Sequence, residues 1–119
     1  MKVVRGNDAK REQGGTFTGE ASLRRLLSAQ QAGGMAASVV HFEDGARTHW
    51  HTHPGEQILY ILEGQGRAGT ADEEVIVGPG DVVYAAPMER HWHGAAPGQS
   101  MTHLSITNVG PAEWFEAPE

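Results

Sequence analysis

Along most of the chain, apolar residues either alternate with polar ones or form short runs, and turn residues separate these segments. The segments from Met35 to Glu43 and from Gln57 to Leu62 are of this kind. They predict β-strands, because β-branched and aromatic residues favour extended backbone while glycine and proline favour turns. About eight short strands, with turn signals every eight to twelve residues, are typical of a sandwich or barrel, jelly rolls included. The pattern therefore predicts an all-β fold.

Two segments carry more particular patterns. The segment from Gln57 to Leu62 is an almost continuous apolar run, which predicts a strand covered on both faces. The segment from Ala21 to Gln31 has the propensity of a short helix, because Leu23, Leu26 and Leu27 would share one helical face.

Composition sets the class of protein. The 119 residues suit one domain, residues 1–119, and 16 glycines with 39% hydrophobic residues fit many strands and turns. A net charge of −6 makes nucleic acid and anionic membrane surfaces poor partners. There is no cysteine, so neither disulfides nor thiolate chemistry is available. No apolar run is long enough to span a bilayer, and the start lacks the apolar core of a secretory signal, so we expect a cytoplasmic protein.

The histidines form the most informative pattern. Five of the seven stand at positions 49, 51, 53, 91 and 93. His51 and His53 are two residues apart, so a strand would direct them to the same face. Pro54-Gly55 then predicts a turn, and Gln57 opens the next strand. Imidazole nitrogen and amide oxygen both bind divalent metals. We therefore predict a metal site, with a further ligand from the segment His91-Trp92-His93.

The same stretch resembles a known family. Gly45, five residues, His51-x-His53, three residues, Gln57, six residues and Gly64 match the first signature of the cupins. Many cupins have glutamate where this chain has Gln57. The resemblance implies a cupin jelly-roll β-barrel with its core at about residues 33–108, a strand-forming N-terminal arm and a short C-terminal tail. It also implies strand structure for residues 16–23, and it leaves residues 24–31, the rest of the segment with helix propensity, undecided.

The second cupin signature is matched more loosely. Gly80-Asp81 and His91 have the usual spacing, but Ala86, Met88 and Ala95 stand where proline, glycine and asparagine are usual. The motifs Ala-Arg-Thr-x-Trp-His-Thr-His-Pro-x-x-Gln, Pro-Gly-Asp-Val-Val, His-Trp-His-Gly-Ala-Ala-Pro and Met-Thr-His-Leu resemble the small manganese-dependent cupins that include bacterial hydroxynitrile lyases.

The resemblance selects the ligands of the predicted site. It implies one divalent ion held by four side chains, which are those of His51, His53, Gln57 and His91. Manganese is the expected metal, and iron, nickel, cobalt and zinc are the alternatives. Three imidazoles and one amide leave the charge of the ion uncompensated, so it would be a strong Lewis acid for a carbonyl, a hydroxyl or an anion.

A further histidine is a candidate base. Positions 103, 105 and 107 share a face of the predicted strand from Met101 to Thr107, and in the lyase-like cupins the histidine of Met-Thr-His-Leu lies in the pocket. We therefore predict that His103 is a general base near the metal. If Gln57 faces inward, Leu59 and Ile61 face inward as well, because they stand two and four positions later on the same strand. The expected pocket-lining residues are Val40, His49, Leu59, Ile61, His93, Ser105 and Thr107.

These features predict an enzyme, a metal-dependent lyase of the hydroxynitrile lyase type that cleaves a small 2-hydroxy compound to a carbonyl compound. The alternatives are a cupin dioxygenase or isomerase, and a non-catalytic cupin that binds a small molecule. We also predict a homodimer. Trp114 and Phe115 stand in a short tail that must pack on the barrel or on a second subunit, and the N-terminal leucines find little room on so small a barrel.

Overall fold

The computed structural model describes residues 1–119, and its regular secondary structure consists almost entirely of β-strands. A single 3-10 turn, Gly6–Asp8, precedes them, and no helix of the chain is long and apolar enough to cross a membrane. The strands, numbered in chain order, are β1 (Arg11–Gln13), β2 (Phe17–Thr18), β3 (Ala21–Leu27), β4 (Gly33–Phe42), β5 (Arg47–Thr48), β6 (His51–Thr52), β7 (Gln57–Gly64), β8 (Gly66–Gly69), β9 (Glu74–Val77), β10 (Val82–Ala85), β11 (Trp92–Ala95), β12 (Met101–Val109) and β13 (Glu113–Trp114).

The strands form a jelly-roll-like arrangement of two main antiparallel sheets. One sheet has six strands in the order β1-β3-β4-β12-β7-β10, and the other has five in the order β2-β5-β11-β8-β9. A separate pair, β13-β6, joins the C-terminal tail to the segment that carries the first histidines. The predicted all-β jelly-roll fold is therefore confirmed.

The N-terminal region is strand, as the family resemblance implied, and the helix indicated by local propensity is wrong. β3 pairs with β4 along most of its length, with Leu23 opposite Val40. The leucine side chain packs against the apolar core between the sheets. Tertiary pairing and burial outweigh a helix propensity that differs by only a fraction of a kcal/mol per residue, about 0.7 at most between ordinary residues.

The apolar core lies between the two sheets. Eight residues form it, with Phe42 completely buried, and they are Ala21, Val40, Phe42, Ala46, Ile61, Val77, Ala95 and Met101. The ring of Phe42 also contacts the imidazoles of His93 and His103, with ring centroids 6.2 and 5.4 Å away. The interior thus changes at Phe42 from an apolar cluster to a cluster of buried histidines.

Within a single chain β7 is covered on one face only, so the expectation of cover on both faces is not met there. Gln57, Leu59 and Ile61 are buried, whereas the alternate residues Ile58, Tyr60 and Leu62 are exposed. The six-stranded sheet has the five-stranded sheet on one side, and no element of the chain packs over these side chains on the other. A continuous apolar run in a strand therefore predicts burial of both faces only where another layer of structure covers the outer face.

Candidate metal centre

His51 and His91 lie opposite each other in a short antiparallel bridge. The backbone N–H of each donates to the carbonyl of the other, at 2.9 and 3.0 Å. The two rings also share the same side-chain hydrogen bonding. Nδ1 of His51 lies 2.9 Å from the backbone carbonyl oxygen of His49, and Nδ1 of His91 lies 2.8 Å from the backbone carbonyl oxygen of Glu89. Because a carbonyl oxygen only accepts, each Nδ1 carries the proton and each Nε2 keeps a lone pair.

Gln57, the first residue of β7, directs its amide oxygen to the same place. Its Nε2 donates to Ser105 Oγ at 2.9 Å, so the other end of the amide, Oε1, faces His91. Oε1 lies 3.0 Å from Nε2 of His91. Two lone pairs then face each other in a buried space, which is unfavourable unless a cation lies beside both. A metal ion supplies that cation, and the donor set fits one.

His53 follows β6 and enters the cluster through the Pro54-Gly55 turn. Both of its ring nitrogens are buried and have no hydrogen-bond partner. The ring lies 5.0 Å from that of His51 and 5.5 Å from that of His91, between centroids. A side chain at Gly55 would overlap the amide oxygen of Asn108. That oxygen accepts a hydrogen bond from the backbone N–H of Glu56. The turn therefore needs glycine, and the unpaired imidazole needs a ligand or ion.

His93 was expected only to line the pocket, yet it belongs to the histidine cluster. The potential ligand atoms of His51, His91 and His93 all lie within 4.8 Å of one another, so three histidines could hold a metal ion. Nδ1 of His93 lies 3.1 Å from Nε2 of His103, and its own Nε2 is buried without a partner. The sequence feature that could have indicated the role of His93 is the segment His91-Trp92-His93. Its two histidines are two residues apart, so a strand directs both to the same face.

A cavity of about 660 Å³ adjoins the cluster. The residues from the sequence analysis that line it are Val40, His51, His53, Gln57, His93, His103, Ser105 and Thr107. The walls also include apolar side chains that sequence reasoning missed, which are those of Phe17, Leu23, Leu27, Val109 and Trp114. Phe17 and Leu23 come from the N-terminal arm and Trp114 from the tail, so both ends of the chain contribute to one cavity.

Three expected pocket-lining residues are not among the side chains that line this cavity. Leu59 and Ile61 do face inward, but they are 1% exposed and pack in the interior away from the cavity wall. The expected position of His49 depended on strand alternation, and the chain breaks that alternation between β5 and β6. Thr48 and His51 are both buried although they are an odd number of residues apart. His49 instead lies between them, and its backbone N–H donates to Thr16.

Burial keeps the histidines of the cluster neutral. It lowers the pKa of His51 to about 3, with a smaller contribution from the neighbouring His91. It lowers the pKa of His53 and of His103 to about 4. The pKa values of His91 and His93 are also lowered, mainly by burial. Neutral imidazoles are the form that binds metal, so the site needs no proton release from these rings near pH 7.

The lowered pKa values predict acid lability of the metal-free protein. Histidine in the unfolded chain titrates near 6.5, whereas His51 and His53 titrate at about 3 and 4 when folded. Between these values the unfolded chain binds more protons, so stability that is present above pH 6.5 is lost as the pH falls. Each such histidine contributes up to about 1.4 kcal/mol per pH unit. Urea denaturation in chelator should show the free energy of unfolding falling steeply from pH 6.5 to 4, and a flat profile would contradict this.

The fold and the cluster together define the class, a jelly-roll protein with a histidine-rich candidate metal site beside a cavity. The chain belongs to the cupin family, whose domain model matches residues 38–114. Among curated proteins, an (R)-mandelonitrile lyase from Granulicella tundricola is 50% identical over 93 residues, which are 76% of this chain and 70% of that protein.

Solved structures agree on the fold. A cupin-like protein from Thermotoga maritima matches with a TM-score of 0.81 and 38% identity over 89% of this chain and 87% of its own. The polyketide cyclase RemF from Streptomyces resistomycificus matches with a TM-score of 0.79 and 24% identity, over 100% of this chain and 88% of its own. At that identity the second similarity concerns the fold alone.

Proposed function

We propose that this chain is a metal-dependent lyase of the hydroxynitrile lyase type. Its substrate would be a small cyanohydrin or related 2-hydroxy compound, which it cleaves to a carbonyl compound and a small carbanion. The observation that carries the proposal is the buried, unpaired donor cluster at the wall of a cavity. The 50% identity to an (R)-mandelonitrile lyase supports the reaction class. The cavity has room for an aromatic substrate, with Phe17 and Trp114 among its walls.

We propose that the ion is held by His51, His53, Gln57 and His91, as expected from the spacing. Support comes from the opposed lone pairs of Gln57 and His91 and from the unpaired nitrogens of His53. Manganese is the proposed ion because the motifs resemble those of the manganese-dependent cupins, while nitrogen and oxygen donors without thiolate also suit iron, nickel, cobalt and zinc. His93 is the competing ligand, because its Nε2 is also unpaired. When bound, the ion would supply Lewis-acid stabilisation of negative charge on the substrate.

His103 is proposed as the base. It lines the cavity, is completely buried, and is neutral near pH 7 because burial lowers its pKa to about 4. It would take the proton of the substrate hydroxyl. The bond between the carbinol carbon and the nitrile carbon then breaks, its electron pair leaves with cyanide, and the carbinol oxygen becomes the carbonyl oxygen. Cyanide finally takes the proton from His103 and leaves as hydrogen cyanide.

The reaction can be tested on the purified protein reloaded with manganese. We expect the loaded protein to release benzaldehyde from (R)-mandelonitrile faster than buffer does, and chelator to abolish the excess rate. The iron-loaded protein in an oxygen electrode is the comparison for the dioxygenase alternative. No excess benzaldehyde with any of the five metals would contradict the lyase, and oxygen uptake with iron would favour the dioxygenase.

We propose a homodimer formed through the outer face of β7 and β10. Its exposed apolar side chains lie on paired strands, with Tyr60 opposite Val82 and Ile58 opposite Tyr84. Neither terminal segment covers them, because β1 is at the opposite edge of the sheet and β13 pairs with β6. A contiguous apolar face of this kind is typical of an interface, and a second copy offers the same face in a twofold arrangement.

Light scattering should therefore give twice the monomer mass at micromolar concentration. Tyr60→Lys should shift the protein to the monomer, because it places a charge in the centre of the face. The control Ile76→Lys changes an exposed apolar residue of the five-stranded sheet and should leave the dimer intact. A monomeric parent would contradict the dimer, and dissociation by the control alone would place the interface on the other sheet.

A further inference from the structure

The C-terminal tail folds back along the strand that carries His51. β13 pairs antiparallel with β6, so that Trp114 lies directly opposite His51. Two more backbone hydrogen bonds extend the pairing, from Phe115 N–H to Trp50 O at 2.8 Å and from Trp50 N–H to Glu116 O at 3.0 Å. His91 bridges the other side of the same short strand. His51 is therefore the central residue of a narrow three-stranded strip.

The side chains of this strip enclose the imidazole of His51. The indole of Trp114 lies 4.3 Å from it between ring centroids, at 34° between planes. The ring of His91 also lies 4.3 Å away, at 53°. The hydrogen bond from Nδ1 to the His49 carbonyl fixes the remaining rotation of the ring. Trp114 thus supplies one of the contacts that determine where Nε2 of His51 points, and the rings of His53 and His93 lie further away, at 5.0 and 5.1 Å.

Arg90 fastens the tail in this position. Its guanidinium lies over the rings of both Trp50 and Phe115, 5.1 and 5.0 Å from their centroids. It also pairs with the carboxylate of Glu116. Phe115 therefore holds the tail through Arg90, whereas Trp114 contacts the site itself. This division of contacts within one short segment provides a matched pair of positions for an experiment.

We propose that Trp114 is a positioning residue for the metal site, holding the imidazole of His51 at the angle at which Nε2 meets the ion. The same indole is part of the cavity wall, so it also sets the width available to the organic group of the substrate. The inference rests on the proposed metal-dependent function. A tail that merely stabilised the barrel would affect the melting temperature and would leave metal binding unchanged.

The test compares Trp114→Ala, Trp114→Phe and the control Phe115→Ala. We expect Trp114→Ala to weaken manganese binding about tenfold in titration calorimetry, the scale found for groups that orient metal ligands. The electron paramagnetic resonance spectrum of bound manganese should change, and KM should rise more than kcat falls. Trp114→Phe should restore most of the affinity, because a flat ring again covers His51. Phe115→Ala should lower the melting temperature with affinity and spectrum unchanged.

The inference is overturned if Trp114→Ala binds manganese like the parent with the same spectrum, or if Phe115→Ala loses as much affinity. A parent that binds metal without lyase turnover would contradict the proposed reaction and leave the metal-affinity comparison valid. If the parent bound no divalent ion, nitrogen-detected NMR of the metal-free protein would decide the positioning. The protected Nδ1–H signal of His51 should then persist in Phe115→Ala and disappear in Trp114→Ala, and its persistence in both would overturn the inference.

Discussion

Replacing His91 by alanine is expected to abolish stoichiometric metal binding. The substitution removes one Nε2 lone pair and leaves Gln57 Oε1 without the neighbour that it faces at 3.0 Å. Groups that only orient a metal ligand cost about 10–100-fold in affinity when they are removed, so loss of a ligand should cost more than about 100-fold. Metal content after dialysis, measured by elemental analysis, and manganese titration report the effect directly.

The same measurement distinguishes the two ligand sets. The spacing predicts that His53→Ala loses metal and His93→Ala retains it, whereas the cluster of His51, His91 and His93 predicts the reverse. His41→Ala is the matched control, because His41 hydrogen-bonds to Thr102 and Glu43 outside the cluster. Circular dichroism must show that each variant is folded. Full metal content in His91→Ala would contradict both sets.

Replacing His103 by alanine is expected to lower turnover by about 10²–10⁴-fold while the metal stays bound, which is the range for a residue that acts only in proton transfer. The side chain is completely buried, lines the cavity and lies 3.1 Å from His93. It is not one of the proposed ligands. Metal content, melting temperature and turnover should be measured on the same preparation.

The three readouts separate three roles for His103. Loss of metal would make it a ligand, and loss of stability with normal turnover per folded molecule would make it structural. Met101→Ala is the control, since it removes a buried side chain from the same face of β12 without touching the cavity. It should cost about 2–5 kcal/mol of stability with turnover per folded molecule preserved. Turnover near the parental level in metal-loaded His103→Ala would contradict the base assignment.

The candidate site was predictable where its residues are close in sequence. His51, His53 and Gln57 are joined by a short strand and a Pro-Gly turn, so local geometry alone brings them together. The structure places all three in a buried group around His91. Strand parity predicted the inward direction of His103, because Met101 and His103 keep their alternation in β12 although the register with β7 shifts between Thr102 and His103. Its role as a base stays a prediction.

Parity failed where the backbone is irregular. His49 lies at the break between β5 and β6, where the buried residues Thr48 and His51 are an odd number of positions apart, so strict alternation does not hold across it. Leu59 and Ile61 obey the alternation, yet an inward direction does not distinguish packed core from cavity wall. That distinction depends on which side chains fill the facing sheet.

The sequence by itself determined the all-β class, most of the strands and the spacing of the histidines, because these depend on neighbours along the chain. Tertiary structure alone decided that residues 24–27 continue as strand, since pairing with β4 outweighs a weak helix propensity. It also decided the contact of His93 with His103, which come from different sheets and meet only across the interior. The packing of Trp114 on His51 is of the same kind, because 63 positions of chain separate two residues that only the folded jelly roll brings together.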